Sequence, residues 1–248
     1  MSLGRAVLTS VEHVLLPPQC VLCGGAGSAP GVDLCAGCRL DLPRNVPACQ
    51  RCAEPLGTML VRSPWCGHCI ARPPPWDAAF CAFRYGFPVD HLLTGLKFRR
   101  QLAHGRVLGL CLLEELVPWL ARRGREPLPQ ALVPVPLHWR REWHRGFNQA
   151  CEIARPLAAA LRLPLRRDVV KRVAATSEQS GLRGAARRQN VSEAFAAKRG
   201  HGLSHVAIVD DVVTTGSTVE ALTRELRASG VARVEVWSCA RAARSHHG

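Results

Sequence analysis

The chain has no apolar run near the roughly 18 residues that a membrane span requires, so no transmembrane helix is expected. Its opening stretch, Met1 to Pro18, has one early Arg and a weak apolar run broken by Glu12 and His13. That is a poor secretory signal, and a cytoplasmic protein is expected. Acidic residues are few: 19 Asp and Glu stand against 33 Lys and Arg, a formal net charge of +14. The basic residues are mostly Arg, whose planar fork suits bidentate contact with phosphate. Anionic partners follow, either phosphorylated metabolites or a nucleic acid. With 47% hydrophobic and 21% charged residues, the 248-residue chain is expected to be globular, with one or two domains.

Cysteine is plentiful, at 12 residues. In a reducing compartment that number points to ligands before disulfides. Eight of them form four Cys-x-x-Cys pairs: Cys20 and Cys23, Cys35 and Cys38, Cys49 and Cys52, Cys66 and Cys69. Two residues between thiolates make a tight knuckle, and two knuckles close a tetrahedron, so structural zinc is expected. Sequential pairing gives two ribbons in a row, and interleaved pairing gives a cross-braced module. The sequential form is preferred, because short loops cost the least closure entropy. His68 is a substitute ligand on paper, though a solvated loop histidine is the simpler reading. The segment has little apolar content, so metal is expected to supply much of its folding free energy. A site of four thiolates also carries about two negative charges net, which trims the basic excess. Cys81, Cys111, Cys151 and Cys239 lack partners at ligand spacing and read as buried small hydrophobes.

Residues His205 to Thr218 carry the most chemistry. Val206 to Val209 is almost wholly apolar and rich in β-branched residues, as expected of a strand covered on both faces of a parallel sheet. It runs into Asp210 and Asp211, passes Val212 and Val213, and enters a turn of Thr214, Thr215, Gly216, Ser217 and Thr218. A helix over Val219 to Ala228 follows. Strand C-terminal ends are where open α/β sheets hold ligands. The turn offers backbone N–H groups and hydroxyls to a phosphate, Gly216 permits close approach, and the helix dipole favours an anion. Two carboxylates beside such a nest suit sugar hydroxyls, which donate to them. The plain alternative is an ordinary turn, since Asp and Thr favour turns anyway.

The remaining chain reads as follows. Ala71 to Trp76 is a stiff proline-rich break. A strand is expected over Ala78 to Tyr85, a short helix over Val89 to Leu96, and a second helix over Gln101 to Leu120, ending near Pro118. Ala131 to Leu137 reads as a strand leaving into a site, and His138 to Gln149 as a basic loop that could hold a second anion. A helix follows over Ala150 to Leu161, a strand over Leu165 to Val173, a polar loop over Ala174 to Gly184, a final strand over Val231 to Ala240, and a frayed tail from Arg241 to Gly248. Arg140 to Arg145 with Trp139, Trp143 and Phe147 interleaved also suits single-stranded DNA. The bland alternative is a solvated positive loop.

The His205 to Thr218 segment resembles the loop of type I phosphoribosyltransferases that binds 5-phosphoribosyl 1-pyrophosphate (PRPP). The resemblance implies that Asp210 and Asp211 hold the ribose hydroxyls while Thr214 to Thr218 cradle the 5′-phosphate, with Val212 and Val213 joining them in one PRPP-binding stretch. Further motifs occur in the order seen in the ComF family: the four cysteine pairs, Leu96-Lys97-Phe98, Val133 to Leu137, Arg145 to Gln149, Gln179 with Leu182, Arg187 with Asn190 and Val191, then Ala194-Phe195. The chain is similar to that family over nearly its whole length. This implies an α/β fold, a parallel sheet with helices on both faces like that of the type I phosphoribosyltransferases, over 76–248. It also implies a preceding double zinc-ribbon domain over 1–72, holding two zinc ions. Magnesium would accompany PRPP. Lys97, Arg145 and Arg187 would take the pyrophosphate, and Gln179 and Arg183 would belong to a lid. Expected partners are PRPP or another phosphorylated ribose, single-stranded DNA and other competence proteins, with a homo-oligomer left open. Three functions compete: a transferase linked to DNA uptake in natural transformation, a DNA-binding protein that keeps the fold without turnover, and a PRPP sensor. The residues do not name an acceptor.

Overall fold

The computed structural model describes residues 18–28, 32–57, 63–173 and 194–243. Its centre is a four-stranded parallel sheet in the order β1 (Ala78–Arg84), β6 (Arg233–Arg241), β5 (His205–Val213), β2 (Ala131–Pro134). β5 lies between two neighbours and is buried at every position but Val212, which explains its apolar run. Val206 pairs with Val234, and Ile208 with Val236. Alternation then separates two cores. Val206 and Ile208 pack with Val219, Leu222 and Leu226 of helix α7 (Ser217–Ala228) on one face. Ala207 and Val209 pack with Trp237 and three other helices on the opposite face. These are α3 (Val89–Arg99), α4 (Leu102–Arg122) and α6 (Gln149–Leu161).

The cysteine-rich segment carries two five-residue helices, α1 (Ala36–Leu40) and α2 (Gly67–Ala71). The chain between them lies along the outer edge of β1. Asn45 N–H donates to the Ala82 carbonyl at 2.9 Å, and Arg84 N–H donates to the Pro43 carbonyl at 2.8 Å. An edge strand otherwise open to pairing is thereby covered.

Several expectations are corrected. α4 continues through Pro118 to Arg122. Its last turn is held from outside, since Trp119 packs at a tilt against Phe80 with centroids 5.3 Å apart and Arg123 lies 4.6 Å over Trp119. The basic stretch after β2 is a helix, α5 (Trp139–Arg145), rather than a loop. His138 caps its start, and Gly146, at φ +84, ends it in the left-handed region while its N–H donates to the Glu142 carbonyl at 2.7 Å. The strand expected over 165–173 shortens to β3 (Val170–Arg172), paired antiparallel with β4 (Phe195–Ala197). Leu165 makes only a bridge to Leu132, because the chain bends where Arg166 chelates Asp168. Arg241, read as the start of a frayed tail, is the last residue of β6 and is 1% exposed. No described helix is long and apolar enough to cross a membrane.

At the N-terminal edge of the sheet, Glu235 is fully buried. It accepts from both Nη atoms of Arg123 at 2.7 Å, from His205 Nε2 at 2.9 Å and from Trp237 Nε1 at 3.1 Å. Burial pushes its carboxyl up, but the bonds from His205 and Arg123 outweigh that and hold it down at about 2.

Candidate functional site

The opposite, C-terminal edge carries the acidic pair and the hydroxyl-rich turn. β5 delivers Asp210 and Asp211 there, both buried. Asp210 Oδ1 accepts from the Asp211 N–H at 2.9 Å, and Asp211 Oδ1 accepts from the Val212 N–H at 2.8 Å. One oxygen of each acid is thus occupied by local backbone. Burial first, and then the charge of Asp211, raises the Asp210 carboxyl well above the usual range.

Val213 ends the strand and the hydroxyl-rich turn follows. Thr215 Oγ1 and Ser217 Oγ are 3.0 Å apart. Gly216 sits at φ +86 as the N-cap of α7, a backbone state that disfavours any side chain. A Cβ there would also lie 3.1 Å from the Trp76 ring. Having no side chain, Gly216 offers none to cap the first amides of α7. That is the arrangement in which a helix start receives an anion.

Lys97, in the last turn of α3, places Nζ 2.5 Å from Asp211 Oδ2. Burial pulls its ammonium down, yet the Asp211 and Asp210 charges prevail and raise it above the usual lysine range. Asp211 is therefore already engaged, and Lys97 can turn to a leaving group only by giving up that pair. Arg145 ends α5 and donates to Gln149 Oε1 at 2.6 Å, with its guanidinium 5.9 Å from the Phe98 ring centre. Arg100 Nη2 reaches the His144 carbonyl at 2.8 Å, fastening the end of α3 to the end of α5. Asn148 caps α6 and donates to the Val135 carbonyl at 3.0 Å. Beside it lies a cavity of about 410 Å³, walled by Pro134, Pro136, Trp139 and Cys151 and by Val170 to Val173. Gln179, Arg183 and Arg187 fall outside the described residues, as do Asn190 and Val191.

Of the interleaved aromatics, Trp139 and Trp143 are exposed, the latter by 85%, whereas Phe147 is half-buried against the helical core. Arg140 lies over the Trp139 ring at 5.2 Å. Phe98, 73% exposed, adds an aromatic beside Arg145.

The eight paired cysteines form two groups, Cys20, Cys23, Cys35, Cys38 and Cys49, Cys52, Cys66, Cys69. This is the sequential arrangement. Within each group the sulfurs lie within 4.8 Å of one another. A Zn–S bond of about 2.3 Å sets a tetrahedral S···S edge of roughly 3.8 Å. The Cys23–Cys35 and Cys52–Cys66 sulfurs are each 3.7 Å apart. Backbone amides support the thiolates: Cys38 N–H points at Cys35 Sγ (3.4 Å) and Cys66 N–H at Cys49 Sγ (3.2 Å). The Cys49 thiol is drawn down to about 4, first by the Cys52 thiol and, against burial, by three backbone N–H groups. Donor set and spacing fit zinc, and His68 is an exposed residue of α2 outside both groups. Cys81, Cys111, Cys151 and Cys239 are buried free thiols.

Comparison with known proteins agrees with this anatomy. A double zinc ribbon domain matches residues 11–70, and a phosphoribosyl transferase domain matches residues 148–246. Competence protein F of Haemophilus influenzae is 36% identical over 227 residues, covering 90% of this chain and 97% of the relative. The chain belongs to the ComF family. DNA utilization protein YhgH of Salmonella typhi is 36% identical and that of Escherichia coli K12 33%, each covering 91% of this chain and 98% of the relative. Both four-cysteine groups lie within the ribbon match, and together they support structural zinc. In this ComF-family chain Lys97 falls between the two matched segments, yet its ammonium closes on the acidic pair of the second.

Proposed function

We propose that the chain binds PRPP, or a closely related phosphorylated ribose, together with magnesium, and transfers the phosphoribosyl group in the setting of DNA uptake. The observation that carries this reading is the succession at the end of β5: Asp210 and Asp211 buried at the C-terminal edge, then the turn around Gly216 and the start of α7, which has no side chain at its N-cap. The turn would take the 5′-phosphate. The acids would take the ribose hydroxyls, Asp210 through its second oxygen and Asp211 through the Oδ2 it shares with Lys97, whose ammonium holds that carboxylate in place. Departure of pyrophosphate leaves an oxocarbenium-like ribose, so the protein must hold both ends and neutralise the leaving group. Arg145 and Arg187 are the cations for that task. Magnesium would sit mainly on pyrophosphate and ribose oxygens and keep several waters. The cavity beside Asn148 has room for a flat acceptor.

Calorimetry with PRPP and magnesium tests the binding, and pyrophosphate release against a panel of bases tests the turnover. Replacing Asp210 and Asp211 with Asn together should abolish both signals. Wild-type protein that gives no heat and no thermal stabilisation with PRPP would end this reading. Binding without release would leave the sensor.

A second reading rests on the exposed Trp139, Trp143 and Phe98 set among Arg140 and Arg145. Such a face suits single-stranded DNA by stacking and phosphate contact. The relatives' names speak of competence and of DNA utilization. Affinity for oligonucleotides should then fall steeply with salt.

A further inference from the structure

Arg241 is almost wholly buried at the point where β5 becomes the hydroxyl-rich turn. Its Nη1 donates to the carbonyls of Val213 (2.9 Å), Thr214 and Ala242 (2.8 Å), and its Nη2 donates to the Glu54 carboxylate. In a trans peptide the carbonyl and the following N–H point in opposite directions. Holding the Val213 and Thr214 carbonyls on the guanidinium therefore directs the Thr214 and Thr215 N–H groups away from it. A buried guanidinium also needs a counter-charge. Glu54 supplies it, and its position is set by the cysteine knuckle, because Cys49 N–H donates to the Glu54 carbonyl at 2.9 Å. A second link starts in the same knuckle. Trp76 Nε1 donates to the Arg51 carbonyl at 2.7 Å, and the far edge of its ring lies against Gly216.

We propose that Arg241, Glu54 and Trp76 are positioning residues for the turn, and that through them the second cysteine group, not the first, sets the shape of the loop. The shape follows from these contacts alone. Its consequence for ligand affinity rests on the phosphoribosyl reading.

The test is hydrogen exchange by mass spectrometry on full-length, zinc-loaded protein, read at the amides of 214–218, beside PRPP titrations with magnesium. Glu54→Gln keeps an acceptor of similar length but removes the charge; Glu54→Ala removes both. Losing a charged hydrogen bond of this kind should raise loop exchange roughly tenfold in Glu54→Ala and about threefold in Glu54→Gln. The PRPP Kd should rise in the same order. Arg39→Ala, which loosens the first ribbon from α4, should leave loop exchange at the wild-type rate. Unchanged loop exchange in folded Glu54 variants overturns the proposal. So does an equal rise in Arg39→Ala, or a rise spread evenly over β5 and β6. Should Glu54→Ala fail to fold, Glu54→Gln against wild type decides. If the loop loosens in the stated order but wild type takes up no PRPP, the positioning role stands and the phosphoribosyl reading falls.

Discussion

The group of Cys20, Cys23, Cys35 and Cys38 sits on the core formed by α3, α4 and α6, with Cys23 exposed; in the second group Cys49, Cys52 and Cys69 are buried in the core that includes α7. Ligand type and count are the same in both. Their attachment is not. The first ribbon is fastened to α4 by two partly exposed ion pairs, Arg39–Glu114 at 3.1 Å and Arg44–Glu115 at 2.7 Å. The second reaches the C-terminal edge of the sheet through a buried one, Arg241–Glu54. Exposed pairs stabilise little, whereas breaking a buried one strands a charge. Two equivalent metal sites can thus differ in what they govern: the first holds a surface together, and the second backs a loop.

The hardest test of this contrast is to open each site in turn. Cys49→Ser and Cys23→Ser should each remove one zinc per chain, as measured by elemental analysis. In small zinc domains the metal supplies on the order of 10 kcal/mol of folding free energy, so both should lower Tm, Cys49→Ser by more. Only Cys49→Ser should abolish the PRPP heat. Equal loss of that heat in both variants breaks the comparison.

Glu235→Gln probes a buried charge cluster that neither ribbon touches. It leaves Arg123 with Glu126 as its remaining carboxylate, and the expected cost is about 2 kcal/mol in urea unfolding, with zinc content unchanged. Its pH dependence has a definite sign. The Glu235 carboxyl is held at about 2 against an ordinary 4.5, so its contribution is complete above about 4.5 and is lost as pH falls toward 2. The variant should lack that acid limb; an unchanged acid profile would assign it to other groups. The smallest effect is expected for Arg39→Ala, below about 1 kcal/mol in urea unfolding, because its ion pair is partly exposed. A larger loss would mean that the first ribbon is fastened as firmly as the second.

Much of the outline could be read from residue order. The run from Val206 through the acids to Gly216 foretold strand, turn and helix, because backbone conformation there follows from neighbouring side chains. The basic stretch after β2 reads as a loop in the sequence and folds as α5. The capping residue His138 and the terminator Gly146 were its available helix signals, and a high density of charge masked them. Nothing about Arg241 marked it for burial, since an arginine after an apolar strand ordinarily reaches solvent, and its partner Glu54 lies 187 positions earlier.

Local spacing by itself determined which cysteines form the four knuckles, where the acidic pair meets its turn, and that the strand before it is covered on both faces; the sheet as a whole followed from the family resemblance. Only the tertiary structure decided that Lys97 closes on Asp211, that Trp76 stands against Gly216, and that one ribbon rather than the other supports the loop. The reason is physical. A turn or a knuckle is specified by residues a few bonds apart, whereas the partner of a buried charge is chosen by which distant segments the packed cores bring within hydrogen-bond reach.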